Sequence, residues 1–194
     1  MVHSTVCGQP FSACGGDLRG TWRIVGVCLE SDLTKLYNQD RADAWNACAD
    51  SCVSATVAAS GTVTYTDQVA TYDVTTVEIT SDSYSPACAS QRYAISSLDQ
   101  KMCDRISAVE TLLYPGGSLE ENCKYVGSDC RCESRVPTTN RDSPGYTLST
   151  VSSSTVYEPT GGTYEFCVNG ATMTQKERVV FNVEDYVVTT FQKQ

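Results

Sequence analysis

The sequence predicts a mainly β protein, a disulfide-rich antiparallel β-barrel with two helices packed outside it. Three observations lead to this prediction. Most of the chain after residue 122 consists of short runs of alternating apolar and polar residues, separated by turn residues. Two earlier segments have a helical period instead. The 194 residues include 11 Cys, and such a number is typical of proteins from oxidising compartments.

The N-terminal segment differs from the rest of the chain. Residues 1–17 contain Cys7, Cys14 and the pair Gly15-Gly16, and they have neither a helical nor a strand period. We therefore predict an extended arm over residues 1–17, tied down by disulfides. No linker interrupts the remainder, which is long enough for one domain, so residues 18–194 are predicted to form a single barrel domain.

The first regular elements are a strand and a helix. Residues 18–29 carry apolar side chains on both faces, which is typical of a strand covered on both sides, and we predict a central position for it. Residues 38–54 place Trp45, Cys48, Ala49 and Cys52 at i, i+3, i+4 and i+7. This spacing predicts a helix with both cysteines on one face.

A hairpin and a second helix follow. Residues 61–66 and 69–80 alternate apolar and polar residues around a short turn, which predicts two paired strands. Residues 97–113 have an apolar stripe at helical spacing, and Ser97 with Gln100 forms a capping-box pattern at the start. This second helix is predicted to pack against the sheet.

The C-terminal part is predicted to consist of strands joined by short turns. The predicted strands are 123–136, 146–151, 155–157, 163–168, 171–176, 178–183 and 186–191. Asn169-Gly170 lies between two alternating runs, and this dipeptide favours a two-residue type I′ turn. The segment 150–155 is interpreted as a strand edge or a hairpin tip.

A short motif at the first strand carries a family resemblance. Gly20 and Trp22 form Gly-x-Trp at the strand entry, after an irregular arm. This pattern resembles the lipocalin and wider calycin signature. The resemblance implies that Trp22 closes one end of the barrel and that a basic side chain from a late strand covers it, for which we predict Arg178. Near the C-terminus, residues 183–188 loosely resemble the second motif of the family.

The block around Cys14 and Gly20, with many later cysteines, is similar to small cysteine-rich bacterial envelope lipoproteins that are lipocalin-like and uncharacterised. The resemblance implies a secreted or bacterial cell-envelope location, periplasm or outer membrane, rather than a reaction. It also makes Cys7 a candidate for a lipid anchor, because the first cysteine of such a mature lipoprotein carries the lipid. A disulfide between Cys7 and Cys14 is the alternative.

The other ten cysteines are predicted to form disulfides. They are Cys14, Cys28, Cys48, Cys52, Cys88, Cys103, Cys123, Cys130, Cys132 and Cys167. A thiolate metal cluster built on Cys123, Cys130 and Cys132 is the alternative, but a zinc site usually presents two paired knuckles, and these cysteines are scattered. We predict no metal and no cofactor.

Charge argues against a nucleic-acid partner, and hydropathy argues against a membrane-spanning helix. The chain carries 14 Lys+Arg against 23 Asp+Glu, for a net charge of −9, and no window has the clustered basic residues that nucleic-acid binding requires. No run approaches the roughly 20 apolar residues of a membrane-spanning helix. We therefore predict no nucleic-acid partner and no transmembrane segment.

Catalysis is not predicted. The only His, His3, lies in the arm, which makes Ser-His or Cys-His nucleophilic catalysis improbable. Carboxylates are numerous enough for an acid–base pair across a cleft, but the sequence does not place any two of them opposite each other, and charged side chains are mostly exposed. The carboxylates considered are Glu120, Glu121, Glu177, Glu184 and Asp185.

Aromatic residues on the predicted strands are the candidates for ligand contact. Such side chains supply apolar area together with an oriented hydroxyl group. The predicted ligand-binding residues are Tyr65, Tyr72, Tyr146, Tyr164 and Phe166. The leading hypothesis is non-catalytic binding of a small, largely apolar ligand in the barrel. The alternative is a structural or protein-interaction module of the bacterial cell surface, with a surface protein as its partner, whose barrel these side chains fill.

Overall fold

We describe the protein from a computed structural model. It describes residues 1–67, 69–113, 119–141, 146–147, 149–158, 162–180 and 184–194. The described contacts divide the chain into two compact units. Unit 1 comprises Met1–Ser31, Val57–Thr76 and Thr139–Gln194, and unit 2 comprises Asp32–Thr56 and Val77–Thr138. Residues 18–194, predicted to form one domain, contribute to both units.

Strands account for most of the described residues. The first seven are β1 (Val2–His3), β2 (Thr5–Val6), β3 (Gly20–Leu29), β4 (Cys52–Tyr65), β5 (Val69–Tyr84), β6 (Glu120–Val126) and β7 (Asp129–Arg141). The others are β8 (Tyr146–Thr147), β9 (Ser149–Ser152), β10 (Thr155–Glu158), β11 (Gly162–Asn169), β12 (Thr172–Val180) and β13 (Glu184–Lys193). The prediction of a mainly antiparallel β protein is confirmed. The predicted strands 171–176 and 178–183 are represented by the single strand β12.

Three helices are described, α1 (Leu33–Ala44), α2 (Pro86–Tyr93) and α3 (Gln100–Leu113), with a 3-10 turn at Asn46–Cys48. Asp32 caps α1 by accepting hydrogen bonds from the backbone N–H groups of Thr34 and Lys35. Ser85 caps α2, with Pro86 as the first helical residue. None of the helices in the described ranges has the length and apolar character needed to span a membrane.

Unit 1 is a sheet in which the first long strand and the last strand are neighbours. The strand order is β5–β4–β3–β13–β12–β11–β10–β9. β3 is flanked by β4 and β13, so the predicted central position of this strand is confirmed. β1 pairs with β4, and β2 pairs with β3. The predicted arm therefore contributes two short strands to the sheet.

The closed barrel is not confirmed. β8 pairs with β5, through Val69↔Thr147 and Ala70↔Tyr146, and β9 pairs with β10. Residue 148, between β8 and β9, lies outside the described residues. Over the part of the chain that the structure describes, the sheet does not close on itself.

Unit 2 combines the strand order β6–β7–β5–β4 with the three helices. Its core is formed by the disulfide sulfurs and the aromatic and aliphatic residues that pack around them. The buried members are Cys48, Tyr84, Cys88, Ala89, Ile95, Cys103, Ile106, Cys123, Cys130 and Cys132. Three disulfides thus lie inside this small core.

The predicted helix over residues 38–54 is wrong in its C-terminal half. α1 ends at Ala44, Trp45 has extended backbone with φ −144°, and Cys52 begins β4. Cys52 is followed by residues that favour strands and pair in the sheet, and this pairing outweighs the helical spacing of the apolar side chains. The start of the helix is marked by Asp32 instead.

The second predicted helix is confirmed over Gln100–Leu113, but its cap differs. Asp99 Oδ1 accepts a hydrogen bond of 2.8 Å from the N–H of Met102, which makes Asp99 rather than Ser97 the capping residue. The predicted stop at residues 114–117 lies outside the described residues. Helix α2 was not predicted, although Ser85-Pro86 is a readable start signal.

The hairpin between β11 and β12 has a different turn from the predicted one. Asn169 pairs with Thr172, so Gly170 and Ala171 are the two loop residues. Only Gly170 has positive φ, 61°, as a type II′ turn requires at its first loop position. The predicted type I′ turn is therefore wrong, because it requires positive φ at both loop positions. Gly127 occupies the same position in the β6–β7 hairpin, with φ 68°.

Five disulfides are formed, as the cysteine count indicated. The pairs are Cys7–Cys28 and Cys14–Cys167 in unit 1, and Cys48–Cys88, Cys103–Cys130 and Cys123–Cys132 in unit 2. The two pairs of unit 1 hold the arm. Five disulfides together indicate an oxidising extracellular or envelope environment.

The unpaired cysteine is Cys52, and this corrects two predictions. Cys52, the first residue of β4, is buried without a partner sulfur. Cys7 is bonded to Cys28 rather than to Cys14. A sulfur in a disulfide has no thiol to which a lipid can be attached, so the predicted lipid anchor at Cys7 does not fit this structure.

Candidate ligand-binding site

Most of the aromatic residues predicted to contact a ligand lie in the interior of unit 1. Tyr65, Tyr164 and Phe166 are buried, and Tyr72 is partly buried. The Tyr65 hydroxyl donates a hydrogen bond of 3.1 Å to Gln175 Oε1. Gln175 faces Phe166 across the β11–β12 pairing. The side chain of Tyr146 lies outside the described residues.

Gln175 is a member of this interior group that sequence reasoning missed. It is buried on the same face of β12 as Met173. A polar residue two positions after a buried apolar one in a strand was the available signal. The hydrogen bond from Tyr65 satisfies its carbonyl oxygen, so these side chains pack against one another as core residues do.

Trp22 is fully buried, and a basic side chain covers it. The Nζ atom of Lys193, in β13, lies 5.2 Å from the centroid of the Trp22 ring. The indole N–H donates a hydrogen bond of 2.6 Å to the carbonyl of Leu18. Gly20 has φ 121°, a backbone conformation that favours glycine.

The prediction that Arg178 is the basic side chain covering Trp22 is wrong. Arg178 is exposed and pairs in register with Tyr186, whereas Lys193 pairs in register with Trp22. The antiparallel register places the last residues of β13, not the end of β12, opposite the start of β3. The sequence does not show the register between distant strands, so the prediction placed the basic residue on β12 instead of β13.

Unit 2 contains a guanidinium group surrounded by aromatic rings. The Arg92 guanidinium carbon lies 4.7 Å from the Trp45 ring centroid, 5.2 Å from that of Tyr93 and 5.8 Å from that of Tyr84. Arg92 also donates a hydrogen bond of 2.8 Å to Glu110 Oε1, which accepts a second one of 2.6 Å from the Tyr93 hydroxyl. The cation is thereby held in place by both charge and ring faces.

The carboxyl group of Glu121 has unusual surroundings in this unit. Burial, together with the nearby charge of Glu110, raises the pKa of Glu121 to about 7. Its Oε1 accepts a hydrogen bond of 3.1 Å from Ser134, and its Oε2 is buried without a hydrogen-bond partner among the described residues. The surface position expected for Glu121 is wrong, while its neighbour Glu120 is exposed.

The other carboxylates considered in the sequence analysis are not shown near Glu121. Glu177 is exposed, and the side chains of Glu184 and Asp185 lie outside the described residues. Glu121, Cys123 and Cys132 bring possible metal-ligand atoms within 4.8 Å of one another. The two sulfurs are joined as a disulfide, so this group presents no thiolate, and cysteine binds a metal as the thiolate.

A second buried network in unit 2 surrounds the free thiol. Arg41 donates hydrogen bonds of 2.7 and 3.1 Å to the two carboxylate oxygens of Asp82 and one of 3.0 Å to the Ser51 hydroxyl. Tyr37 donates a hydrogen bond to Glu78, and burial raises the pKa of that carboxyl. Burial and the Asp82 charge raise the pKa of Cys52 to about 12, so this thiol is protonated and unreactive.

A cavity of about 380 Å³ opens between the C-terminal end of α2 and the middle of α3. Its wall combines apolar side chains with two arginines and contains no carboxylate. The lining residues are Gln91, Arg92, Tyr93, Ala94, Ile95, Arg105, Ile106 and Val109. None of the predicted ligand-binding residues is among them. Because α2 was not predicted, sequence reasoning had no basis for placing a site here.

The cavity mouth depends on how α2 ends. Ala94 has left-handed backbone, φ 55° and ψ 38°, and its N–H donates to the carbonyls of Ala89 and Ser90. Ile95 N–H donates to Ala89 O. These bonds close the end of the helix around a left-handed residue and turn the chain, which brings Ile95 into the core beside Ile106.

Comparisons of the chain with protein-family models, with curated proteins and with solved structures find no match. Functional inference therefore depends on the geometry of the two units.

Proposed function

We propose that this protein is a non-catalytic, secreted or cell-envelope protein that binds a small, largely apolar molecule. The observation that carries this proposal is the cavity of about 380 Å³ between α2 and α3. Small-molecule sites have volumes of about 300–1,000 Å³ and combine apolar walls with a few polar groups. Ile95, Ile106 and Val109 supply apolar wall here, and Gln91 and Arg105 supply polar groups.

Rigidity of the cavity walls supports the binding role. α2 is fixed by Cys48–Cys88 and α3 by Cys103–Cys130. Arg92 ties the end of α2 to Glu110 of α3 with a nearly buried ion pair of 2.8 Å. A site that is formed before the ligand arrives loses little conformational entropy on binding.

We further propose that unit 1 is a lipocalin-like barrel. Two observations support this architecture. β8 (Tyr146–Thr147) pairs with β5 at one end of the strand order of unit 1, and β9 (Ser149–Ser152) pairs with β10 at the other end. Trp22 at the start of β3 is covered by Lys193 from the last strand, which is the arrangement that the Gly-x-Trp resemblance implies. The fold alone carries no function.

A specific observation favours the alternative role for the interior of unit 1. Trp22, Val63, Tyr65 and Met173 are each exposed by 2% or less, and Tyr65 satisfies Gln175 within that interior. Side chains packed in this way fill a small barrel. Under this second candidate function, unit 1 is a structural or protein-interaction module, and the ligand belongs to unit 2.

The test is a titration of the disulfide-bonded protein with N-phenyl-1-naphthylamine, an uncharged probe that fluoresces in apolar surroundings. Val109→Phe fills the cavity from a partly buried position on α3, whereas Val53→Phe makes the same change at an exposed position of β4. We expect Val109→Phe to abolish saturable fluorescence and Val53→Phe to retain it. Equal binding by both variants would place the ligand elsewhere, and no binding by the unsubstituted protein would favour the scaffold role.

A further inference from the structure

The wall of the unit 2 cavity has a charge opposite to that of the protein as a whole. The chain has a net charge of −9, with 23 acidic and 14 basic residues. The cavity is nevertheless lined by Arg92 and Arg105 and by no Asp or Glu. An apolar molecule needs neither arginine for binding. The positive charge of the wall therefore indicates a second property of the ligand, besides its apolar character.

The two arginines differ in what they already contact. Arg92 is held by Glu110 and by the rings of Trp45, Tyr84 and Tyr93. Arg105 has no ion pair or hydrogen bond with any residue in the described ranges, and its side chain is exposed at the cavity. The guanidinium of Arg105 is therefore the cation available to a ligand.

Of the other polar side chains of the wall, Gln91 offers a donor to a ligand. Gln91 Oε1 accepts a hydrogen bond of 2.8 Å from the N–H of Ala47. This leaves the Nε2 group of Gln91, which has no acceptor among the described residues. The Tyr93 hydroxyl donates its proton to Glu110. A ligand meeting N–H donors from Gln91 and Arg105 must present acceptor atoms, and a carboxylate supplies two of them.

The apolar part of the wall lies beside these donors on the same helix. Val109 follows Arg105 at i+4 on α3, so the two share a face, and Ile106 and Ile95 continue the wall into the core. A molecule that fits has an apolar body and one anionic end. A polyanion such as a phosphorylated sugar would leave the apolar wall unmatched.

We propose that the cavity between α2 and α3 binds a small amphiphilic carboxylate, whose anionic end contacts Arg105 and whose apolar body contacts Ile95, Ile106 and Val109. This inference rests on the proposed binding function and specifies its ligand class. Arg105 acts by charge and by bidentate hydrogen bonding, which a neutral molecule of the same length does not engage.

The test compares octanoate with octan-1-ol as competitors of N-phenyl-1-naphthylamine, at about pH 7.5, where the carboxylic acid is ionised. The unsubstituted protein is expected to prefer octanoate by about fivefold or more, since the ion pair is partly exposed to solvent. Raising the salt concentration should weaken octanoate binding and leave octan-1-ol binding unchanged.

Three variants test whether Arg105 causes the preference for octanoate over octan-1-ol. Arg105→Gln should bring octanoate and octan-1-ol to equal affinity, and Arg105→Lys should retain part of the preference. The matched control is Arg131→Gln, which removes the same charge from an exposed position of β7 outside the cavity and should leave the preference intact. Because Arg105 is exposed, its replacement leaves the core unchanged.

The outcomes separate the two proposals. Equal binding of octanoate and octan-1-ol by the unsubstituted protein would overturn the carboxylate inference and leave the binding function standing. A preference for octanoate that survives Arg105→Gln would overturn the role of Arg105. Failure of the probe and of both competitors to bind would overturn the binding function itself.

Discussion

Arg41 holds the carboxylate of Asp82 through two hydrogen bonds, of 2.7 and 3.1 Å, inside unit 2. Both side chains are exposed by less than 10%. The pair connects α1 to β5 and is extended by Ser51 and by the hydroxyl of Tyr84, which donates to Asp82 over 3.3 Å. A buried pair of this kind is far more sensitive to the loss of one partner than a surface pair is.

The first prediction concerns this pair. Arg41→Met leaves the Asp82 carboxylate buried without a counter-charge, and we expect it to lower the free energy of unfolding by about 3–5 kcal/mol. The measurement is urea denaturation followed by circular dichroism. The matched control is Arg141→Met, whose partner Asp73 lies 3.1 Å away in an exposed pair and whose loss should cost less than about 1 kcal/mol. Equal effects of both substitutions would contradict the prediction.

The second prediction is a pH dependence caused by Glu121. Its pKa in the folded protein is about 7, against a reference of 4.5. The folded state therefore binds more protons than the unfolded state between about pH 4.5 and about pH 7, and stability falls as the pH rises through this range. Glu121→Gln has a neutral side chain at every pH. The free energy of unfolding of this variant, relative to that of the unsubstituted protein, should therefore grow from about pH 4.5 to about pH 7 and then stay constant.

Glu120→Gln is the control for this measurement, because Glu120 precedes Glu121 in β6 and is exposed. Denaturation curves at several pH values should show no growing advantage for this variant. An advantage of Glu121→Gln that shrinks as the pH rises would show that the folded state favours the ionised carboxyl, contrary to the argument from burial.

The third prediction concerns the free thiol. Cys52 is buried and its pKa is raised to about 12, so the folded protein is expected to react very slowly with Ellman's reagent at neutral pH. In denaturant without reductant, one thiol per chain should react, since the other ten cysteines form five disulfides. The Cys52→Ala variant should show none. A reactive thiol remaining in Cys52→Ala would mean that a disulfide is incompletely formed.

The fourth prediction ranks two disulfides by loop length. Cys14–Cys167 closes a separation of 153 residues and Cys123–Cys132 one of 9. Chain-entropy arguments give about 5 kcal/mol for the long loop and about 2.5 kcal/mol for the short one. The double variant Cys14→Ser with Cys167→Ser should therefore unfold at lower urea concentration than Cys123→Ser with Cys132→Ser. The reverse order would show that local constraint of the β6–β7 hairpin outweighs loop entropy.

Local patterns predicted the strand character of most β segments and one helix, because these signals lie within a few residues. They did not predict every strand boundary: the single strand expected over 123–136 is the hairpin of β6 and β7. The alternation around Asn169 predicted a hairpin, and the stripe from Leu98 to Leu113 predicted α3. The same reasoning failed at Cys48 and Cys52. Their helical spacing was real in the sequence, but the strand that begins at Cys52 gains pairing partners that no local pattern shows.

The candidate site was likewise predicted only in part: local patterns indicate which side chains are buried, but not which distant residues meet. The predicted aromatic residues Tyr65, Tyr164 and Phe166 are buried, as their alternation in strands indicates. Their alternation could not show that Tyr65 meets Gln175, which lies 110 positions away. The cavity beside Arg105 was not predicted at all, since it depends on the unpredicted helix α2 and on two disulfides that hold α2 and α3.

The sequence by itself determined the class of this protein: the strand periods, the turn glycines and the number of cysteines follow from local backbone preferences and composition. The tertiary structure alone decided which sulfurs are bonded, that Lys193 rather than Arg178 covers Trp22, that Cys52 keeps its thiol, and that two arginines line a cavity. Each of these depends on register and on contacts between distant segments. Local preference acts over a few residues and does not specify them.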